Sequence, residues 1–241
     1  GAHLARSACA RYRQDVVVCR SIAEVEAAIA ALAGADAVLK AEYSSSGLGV
    51  RVCRAPQRLA QQRPLSGWAA NCIARDGCVT VEPWMDIALE VTAEWADGRW
   101  LGVSFPIVER RQWVGQWRSL PPDGSAPDGA VDFVMSGGVE ALLAPLQLPA
   151  TCGAATCGAD VAVVRGEGGG FEARLLEVNA RTTMPHYARA AFAALGEQGG
   201  ARAYQRFAIV DAASMAGALE DEAPAALCLT DPHGARFCAC L

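Results

Sequence analysis

The chain is 241 residues long, 52% apolar and 20% charged, with a formal net charge of −5. That length and composition suit one large globular domain, or a compact pair of lobes, with an ample core. The acidic balance supplies no basic patch for a nucleic-acid backbone, and no apolar run approaches the roughly 18 residues that span a bilayer.

Residues 1–13 (GAHLARSACARYR) carry basic side chains without the apolar core of a secretory signal. Residues 21–33 predict a helix: Ser21 and Glu24 make a capping box, Ile22, Val25, Ile29 and Leu32 recur at helical spacing, and Gly34 suits the stop. ADAVLKAEY (35–43) predicts a strand, SSSG (44–47) a loop and LGVRVCR (48–54) another strand. A helical stretch follows over about 56–75, then the strand CVTVEPW (78–84). Residues 88–97 and 99–108 predict a hairpin around Asp97-Gly98, a strong signal for a two-residue turn. A short strand is expected at 112–118, and the Pro-, Gly- and Asp-rich segment 119–132 reads as loop. A helix is expected near 137–147. A second hairpin, 158–164 with 171–178, follows around RGEGGG. Helices near 187–195 and 200–218 and strands near 225–230 and 235–241 complete the chain. There are no internal repeats, and the mixture reads as an antiparallel-rich α+β fold.

The ten cysteines are scattered with no CxxC pair, and three histidines are too few to complete zinc spacing. Disulfide scaffolds are usually small and secreted, so buried free thiols in a reducing cytoplasm are the expectation.

Lys40 is the only lysine, beside 20 arginines. It ends a strand before a small-residue loop, a hairpin that can close over phosphates: the loop's backbone N–H groups approach the anion and the ammonium supplies a point charge. The pattern is no Walker loop, because the lysine precedes the loop. An ordinary hairpin with one surface lysine is the alternative. A coding bias that replaced every other lysine and spared this one favours the phosphate role, since an arginine fork differs in shape and reach.

Residues 79–90 (VTVEPWMDIALE) form an apolar strand that breaks at Glu82-Pro83 and restarts at Ala88. A chain passing there between lobes exposes backbone groups to a flat ring such as adenine, with Trp84 and Met85 as apolar walls. Glu90 heads the next strand, where a carboxylate can accept from ribose hydroxyls; a solvated acid at a strand end is equally ordinary. Pro83 can also end a strand simply by lacking an N–H.

The most specific stretch is RLLEVNARTTMPH (174–186). Glu177 and Asn179 are two apart on a strand and so share a face, opposite Leu176 and Val178. If the preceding turn centres within GEGGG, Asp160 falls directly across the ladder from Glu177; a slip of one residue makes it diagonal. Two carboxylates and an amide oxygen make a hard oxygen site suited to Mg²⁺ between a protein and phosphates. A solvated acid pair on a polar face is the alternative. Arg181 points at the same place.

VLKAEYSSSGLGVRV, VEPWMDIALE, GADVAVV and LLEVNAR, in that order, resemble the successive ATP-binding elements of the ATP-grasp superfamily, over residues of about 20–200. The resemblance implies two α+β lobes gripping ATP: a smaller lobe, 1–84, with the Lys40 hairpin and Ser/Gly flap, and a larger lobe, 85–241. It implies Lys40 on the phosphates, with Ser44, Ser45, Ser46, Gly47 and Gly49 in the flap over them. The backbone of Glu82, Pro83, Trp84 and Met85 would meet adenine, and Glu90 the ribose. Asp160, Glu177 and Asn179 would hold Mg²⁺, with Mn²⁺ as a substitute, and Arg181 would neutralise the transferring phosphoryl group. Lys40 and Arg181 are the expected catalytic pair.

The chain departs from the family pattern in three ways. A second phosphate-contacting cation upstream has to be one of Arg6, Arg11, Arg13 and Arg20, with nothing to choose among them. The N-terminal acceptor-binding domain usual in the family is expected to be absent. Pro185 stands before His186 where biotin-carboxylase-like members carry a glutamate, which argues against bicarbonate activation.

The leading expectation is an ATP- and Mg-dependent ligase that joins a small-molecule carboxylate to an amine through an acyl phosphate, with neither nucleic acid nor membrane as partner. A phosphotransferase using the same ATP site and a non-catalytic nucleotide-binding module are the alternatives. A decayed site has no reason to keep costly metal ligands, which counts against the module.

Overall fold

The computed structural model describes residues 13, 15–43, 48–109, 112–118, 126–127, 129–166, 168–194, 206–211 and 237–240. Strand β1 (Val17–Cys19) leads into helix α1 (Ile22–Ala31). Ser21 Oγ accepts the Glu24 N–H at 3.2 Å, as the capping signature predicts, but the Glu24 carboxylate returns to the Arg20 N–H, at 2.7 Å. Helix α1 gives way through Ala33 and Gly34, whose positive φ of 51° and 91° turns the chain out.

Strands β2 (Ala37–Ala41) and β3 (Val50–Cys53) form the Lys40 hairpin. A short 3₁₀ turn (Leu59–Gln61) and helix α2 (Arg63–Asp76) return the chain to β4 (Val79–Pro83). These strands make a four-stranded antiparallel sheet in the order β1-β4-β2-β3. Alternation decides its faces: Ala37, Leu39, Val79 and Val81 pack under α1 and α2, whereas Val38, Lys40, Thr80 and Glu82 point the other way.

The larger sheet begins with β5 (Ile87–Ala96), β6 (Arg99–Glu109) and β7 (Gln112–Trp117). Asp97 and Gly98, at φ 51° and 72°, make the expected tight turn. Three short helices, α3 (Ala130–Met135), α4 (Gly138–Leu143) and α5 (Leu148–Cys152), cover one face of this sheet. Strands β8 (Cys157–Arg165) and β9 (Phe171–Asn179) form the second hairpin, and helix α6 (Met184–Ala194) follows. Strands β10 (Arg206–Asp211) and β11 (Phe237–Cys240) complete a seven-stranded antiparallel sheet, β11-β10-β7-β6-β5-β8-β9. Val91, Ala93, Trp95, Val161 and Val163 fill the core under α3–α5, leaving Glu90, Thr92, Glu94 and Asp160 on the opposite face.

Three expectations change. The loop read over 119–132 gives way at its end to α3, which opens where Gly129 turns the chain at φ 81°. The helix expected over 137–147 is divided: α4, a 3₁₀ turn (Ala144–Leu146), then α5. Within the helix expected over 200–218, residues 206–211 are a strand, because RFAIVD is rich in aromatic and β-branched residues and pairs with the open edge of β7. The strand expected at 225–230 lies outside the described residues.

Cys19, Cys53, Cys72, Cys78 and Cys157 are buried free thiols, in keeping with their reading as small apolar groups. Burial pushes the Cys19 thiol up to about 11. Among the described residues no helix is long and apolar enough to cross a membrane.

Candidate active site

The polar faces of the two sheets border one cleft of about 690 Å³, within the range of small-molecule sites. Lys40 enters it from β2. Its ammonium is ion-paired with the carboxylate of Glu82, which stands across the β2–β4 ladder beside Val38. The same carboxylate receives the Arg13 guanidinium at 2.5 Å, and Arg13 also holds Asp15 at 2.6 Å. Burial opposes the charge on Arg13, but hydrogen bonding to Asp15 and the charges of Glu82 and Asp15 outweigh it and raise its pKa. Of the four upstream arginines left open by the sequence, Arg13 reaches this cluster. Arg20 sits at the exposed start of α1, and Arg6 and Arg11 lie outside the described residues. Glu82 therefore offers its side chain as well as its backbone, which motif reading alone had not suggested.

Ser44, Ser45, Ser46 and Gly47 lie outside the described residues; Gly49 is buried at the base of the hairpin, its carbonyl accepting the Ala41 N–H at 2.9 Å. Pro83, Trp84 and Met85 line one end of the cleft. The Trp84 N–H donates to the Asp36 carbonyl at 2.8 Å, and the Arg54 guanidinium lies 5.1 Å from the Trp84 ring centroid. Glu90 lines the cleft too: its enclosure raises the carboxyl pKa, and the charge of Lys40 partly offsets this. The first β5 acid and the β2 lysine thus feel each other across the cleft.

Asp160 pairs directly with Glu177 across the β8–β9 ladder, and Gly158 with Asn179. The register of the second hairpin is the one that brings the two acids together. Thr92 Oγ1 donates to Asp160 Oδ1 at 3.1 Å, and Asn179 Nδ2 donates to Asp160 Oδ2 at 3.3 Å. Burial first, and the neighbouring Glu177 charge second, push the Asp160 carboxyl up to about 7. Hard oxygen donors crowded together at such a cost are what a divalent cation relieves, so the set fits Mg²⁺. Thr92 was missed in the sequence, although its place two residues after Glu90 on the same strand face could have found it.

Arg181 lines the cleft beside this set, its backbone N–H donating to the Asn179 carbonyl at 2.8 Å. His186 is buried and is not among the residues that line the cleft. Its Nδ1 accepts from the Thr183 N–H at 3.2 Å and its Nε2 donates to the Trp95 carbonyl at 3.0 Å, so it ties the start of α6 to β5. A largely buried network lies beside the cleft. Arg189 donates to Glu94 at 2.5 Å, Ser104 donates to the other oxygen of Glu94, Gln116 donates to Ser104 at 2.8 Å, and the Trp113 indole donates to Gln116 at 2.8 Å.

This arrangement has relatives among solved structures. An ADP-bound N5-carboxyaminoimidazole synthetase from Staphylococcus aureus superposes with a TM-score of 0.62 at 10% identity, over 93% of this chain and 61% of its own. An ADP complex of an N5-carboxyaminoimidazole ribonucleotide synthetase gives 0.62 at 13% identity, over 99% and 66%. The biotin carboxylase domain of the Hydrogenobacter thermophilus 2-oxoglutarate carboxylase, with MgADP and bicarbonate, gives 0.53 at 16%, over 91% and 55%. The fold is the ATP-grasp fold. No protein-family model and no curated protein matches the sequence. This chain spans less than two thirds of the length of the first two synthetases it resembles.

Proposed function

We propose that this ATP-grasp chain is an ATP-dependent ligase that joins a carboxylate to an amine through an acyl phosphate. The observation that carries the reading is the pairing of Asp160 with Glu177, flanked by Asn179 and Thr92, in the same cleft as Lys40. ADP bound to the two synthetases of the same fold supports a nucleotide there, and MgADP in the biotin carboxylase domain supports the metal.

Pro83, Trp84 and Met85 would take the adenine and Glu90 the ribose hydroxyls. Lys40 would leave Glu82 for the phosphates. Asp160, Glu177 and Asn179 would hold Mg²⁺, which supplies neutralisation of phosphate charge when bound. Arg181 would orient the acceptor carboxylate with its planar fork, so that a carboxylate oxygen attacks the γ-phosphorus and ADP departs. The residues 44–49 would shield the mixed anhydride from water until the amine attacks its carbonyl carbon and phosphate departs.

Hydroxylamine tests this directly. With ATP, Mg²⁺ and a library of carboxylates, ADP release is expected to rise on adding hydroxylamine, with a hydroxamate as product. Arg181→Lys is expected to lose most of that turnover while keeping most of the ATP affinity. ADP release with a stable phosphoester and no hydroxamate would replace the ligase with a kinase.

A further inference from the structure

The cleft continues past Arg181 into an end with a different chemistry. There the β6–β7 hairpin faces the first turn of α6. Val108 and Trp113 are cross-strand partners, Pro106 precedes Val108 by two on the same strand face, and Met184 and Pro185 complete the lining. Trp113 rests on the small cluster formed by Met184, Ala188 and Ala191. Val108 is 47% exposed, so this wall is open to a ligand. Among the described residues that line the whole cleft, the cations are Lys40 and Arg181.

The indole is also held in place. Its N–H donates to Gln116 Oε1, and Gln116, fully buried, is fixed in turn by Ser104, Glu94 and Arg189. A polar relay with three buried members, Glu94, Ser104 and Gln116, and the part-buried Arg189 is costly to assemble unless every member is satisfied. Here it ends on the indole N–H at the ring edge, and the ring stands in the lining of the cleft.

We infer that Trp113 is a specificity-determining residue, and that this end of the cleft takes the body of an acceptor carboxylate that is apolar or aromatic. The inference rests on the ligase reading for its direction: the carboxylate head lies toward Arg181 and the metal-binding set, and the tail runs along Val108, Trp113, Met184 and Pro185.

The test is calorimetric titration of 3-phenylpropanoate and of succinate, each with and without Mg·ADP, on the 241-residue chain and on Trp113→Phe, Trp113→Ala and Val108→Lys, with circular dichroism to report folding. The parent is expected to prefer 3-phenylpropanoate over succinate. Trp113→Ala is expected to lose about tenfold in affinity for 3-phenylpropanoate and Trp113→Phe much less. Val108→Lys, at an exposed position, is expected to shift the preference toward succinate. Such Trp113-dependent binding supports the subsite whether or not Mg·ADP binds. Binding of Mg·ADP with succinate preferred, or with 3-phenylpropanoate unaffected by Trp113→Ala, overturns the subsite and leaves the nucleotide site standing. Binding of neither carboxylate overturns the subsite, and the nucleotide site then stands or falls on Mg·ADP binding alone.

Discussion

Glu82 bears two cations on one buried carboxylate, Arg13 and Lys40, and this pairing explains how a lone lysine is kept at the cleft wall. Two cationic partners on one buried carboxylate give Lys40 a defined resting place. Lys40→Ala is expected to weaken Mg·ATP binding by about tenfold or more, and Lys40→Arg by less, as read by calorimetry. An unchanged affinity in Lys40→Ala would remove the phosphate role. Asp160 yields a second expectation through its proton. Folded, it titrates near 7, and unfolded, near 4, so between those values the folded state binds more protons and stability falls as pH rises. Metal-free protein is therefore expected to lose thermal stability from about pH 5 to about pH 7, with a flatter profile in Asp160→Asn. An equal slope in both would mean that other groups set it. The period of two made Glu177, Asn179 and Arg181 legible in the sequence. Arg13 was not, because its bond to Glu82 spans 69 positions and leaves no local pattern.

Elements were legible wherever local chemistry and tertiary pairing agreed. The Asp97-Gly98 turn is such a case: with the register shift between Glu94 and Trp95, it leads to the β5–β6 pairing that puts Thr92 opposite Ser104. Gly98 adopts φ 72° with nothing within 4 Å of where a Cβ would stand, so the cost of Gly98→Ala is conformational alone. It is expected to be about 1–2 kcal/mol, measured by denaturant unfolding. No loss of stability would mean the turn relaxes at no cost. Leu143, 1% exposed, tests the packing of α4 on the larger sheet: Leu143→Ala is expected to cost about 2–5 kcal/mol, and a smaller loss would mean that α4 closes over the gap. Residues 206–211 were misread because a short apolar run suits a helix or a strand equally; the exposed edge of β7, made by residues some 90 positions earlier, decides it. The α3 turn was obscured by the Pro- and Gly-rich run before it.

At the scale of the molecule, the cleft depends on two sheets presenting their polar faces to one space. Neither sheet alone holds a site: the β2–β4 face brings Lys40 and Glu82, and the β5–β8–β9 face brings Glu90, Asp160, Glu177 and Asn179. That the two would be opposed was legible through the order of four short motifs and the family they resemble; the apolar end with Trp113 was not, since it needs the β6–β7 hairpin set against α6. By the function proposed above, the cleft binds a nucleotide through a metal. This is tested most directly by titrating ADP into the chain with and without Mg²⁺, beside Glu177→Gln. Tight ADP binding that requires Mg²⁺ in the parent, and loses that requirement with its affinity in Glu177→Gln, is the predicted result. ADP binding indifferent to Mg²⁺, or a Glu177→Gln titration that matches the parent, would contradict it.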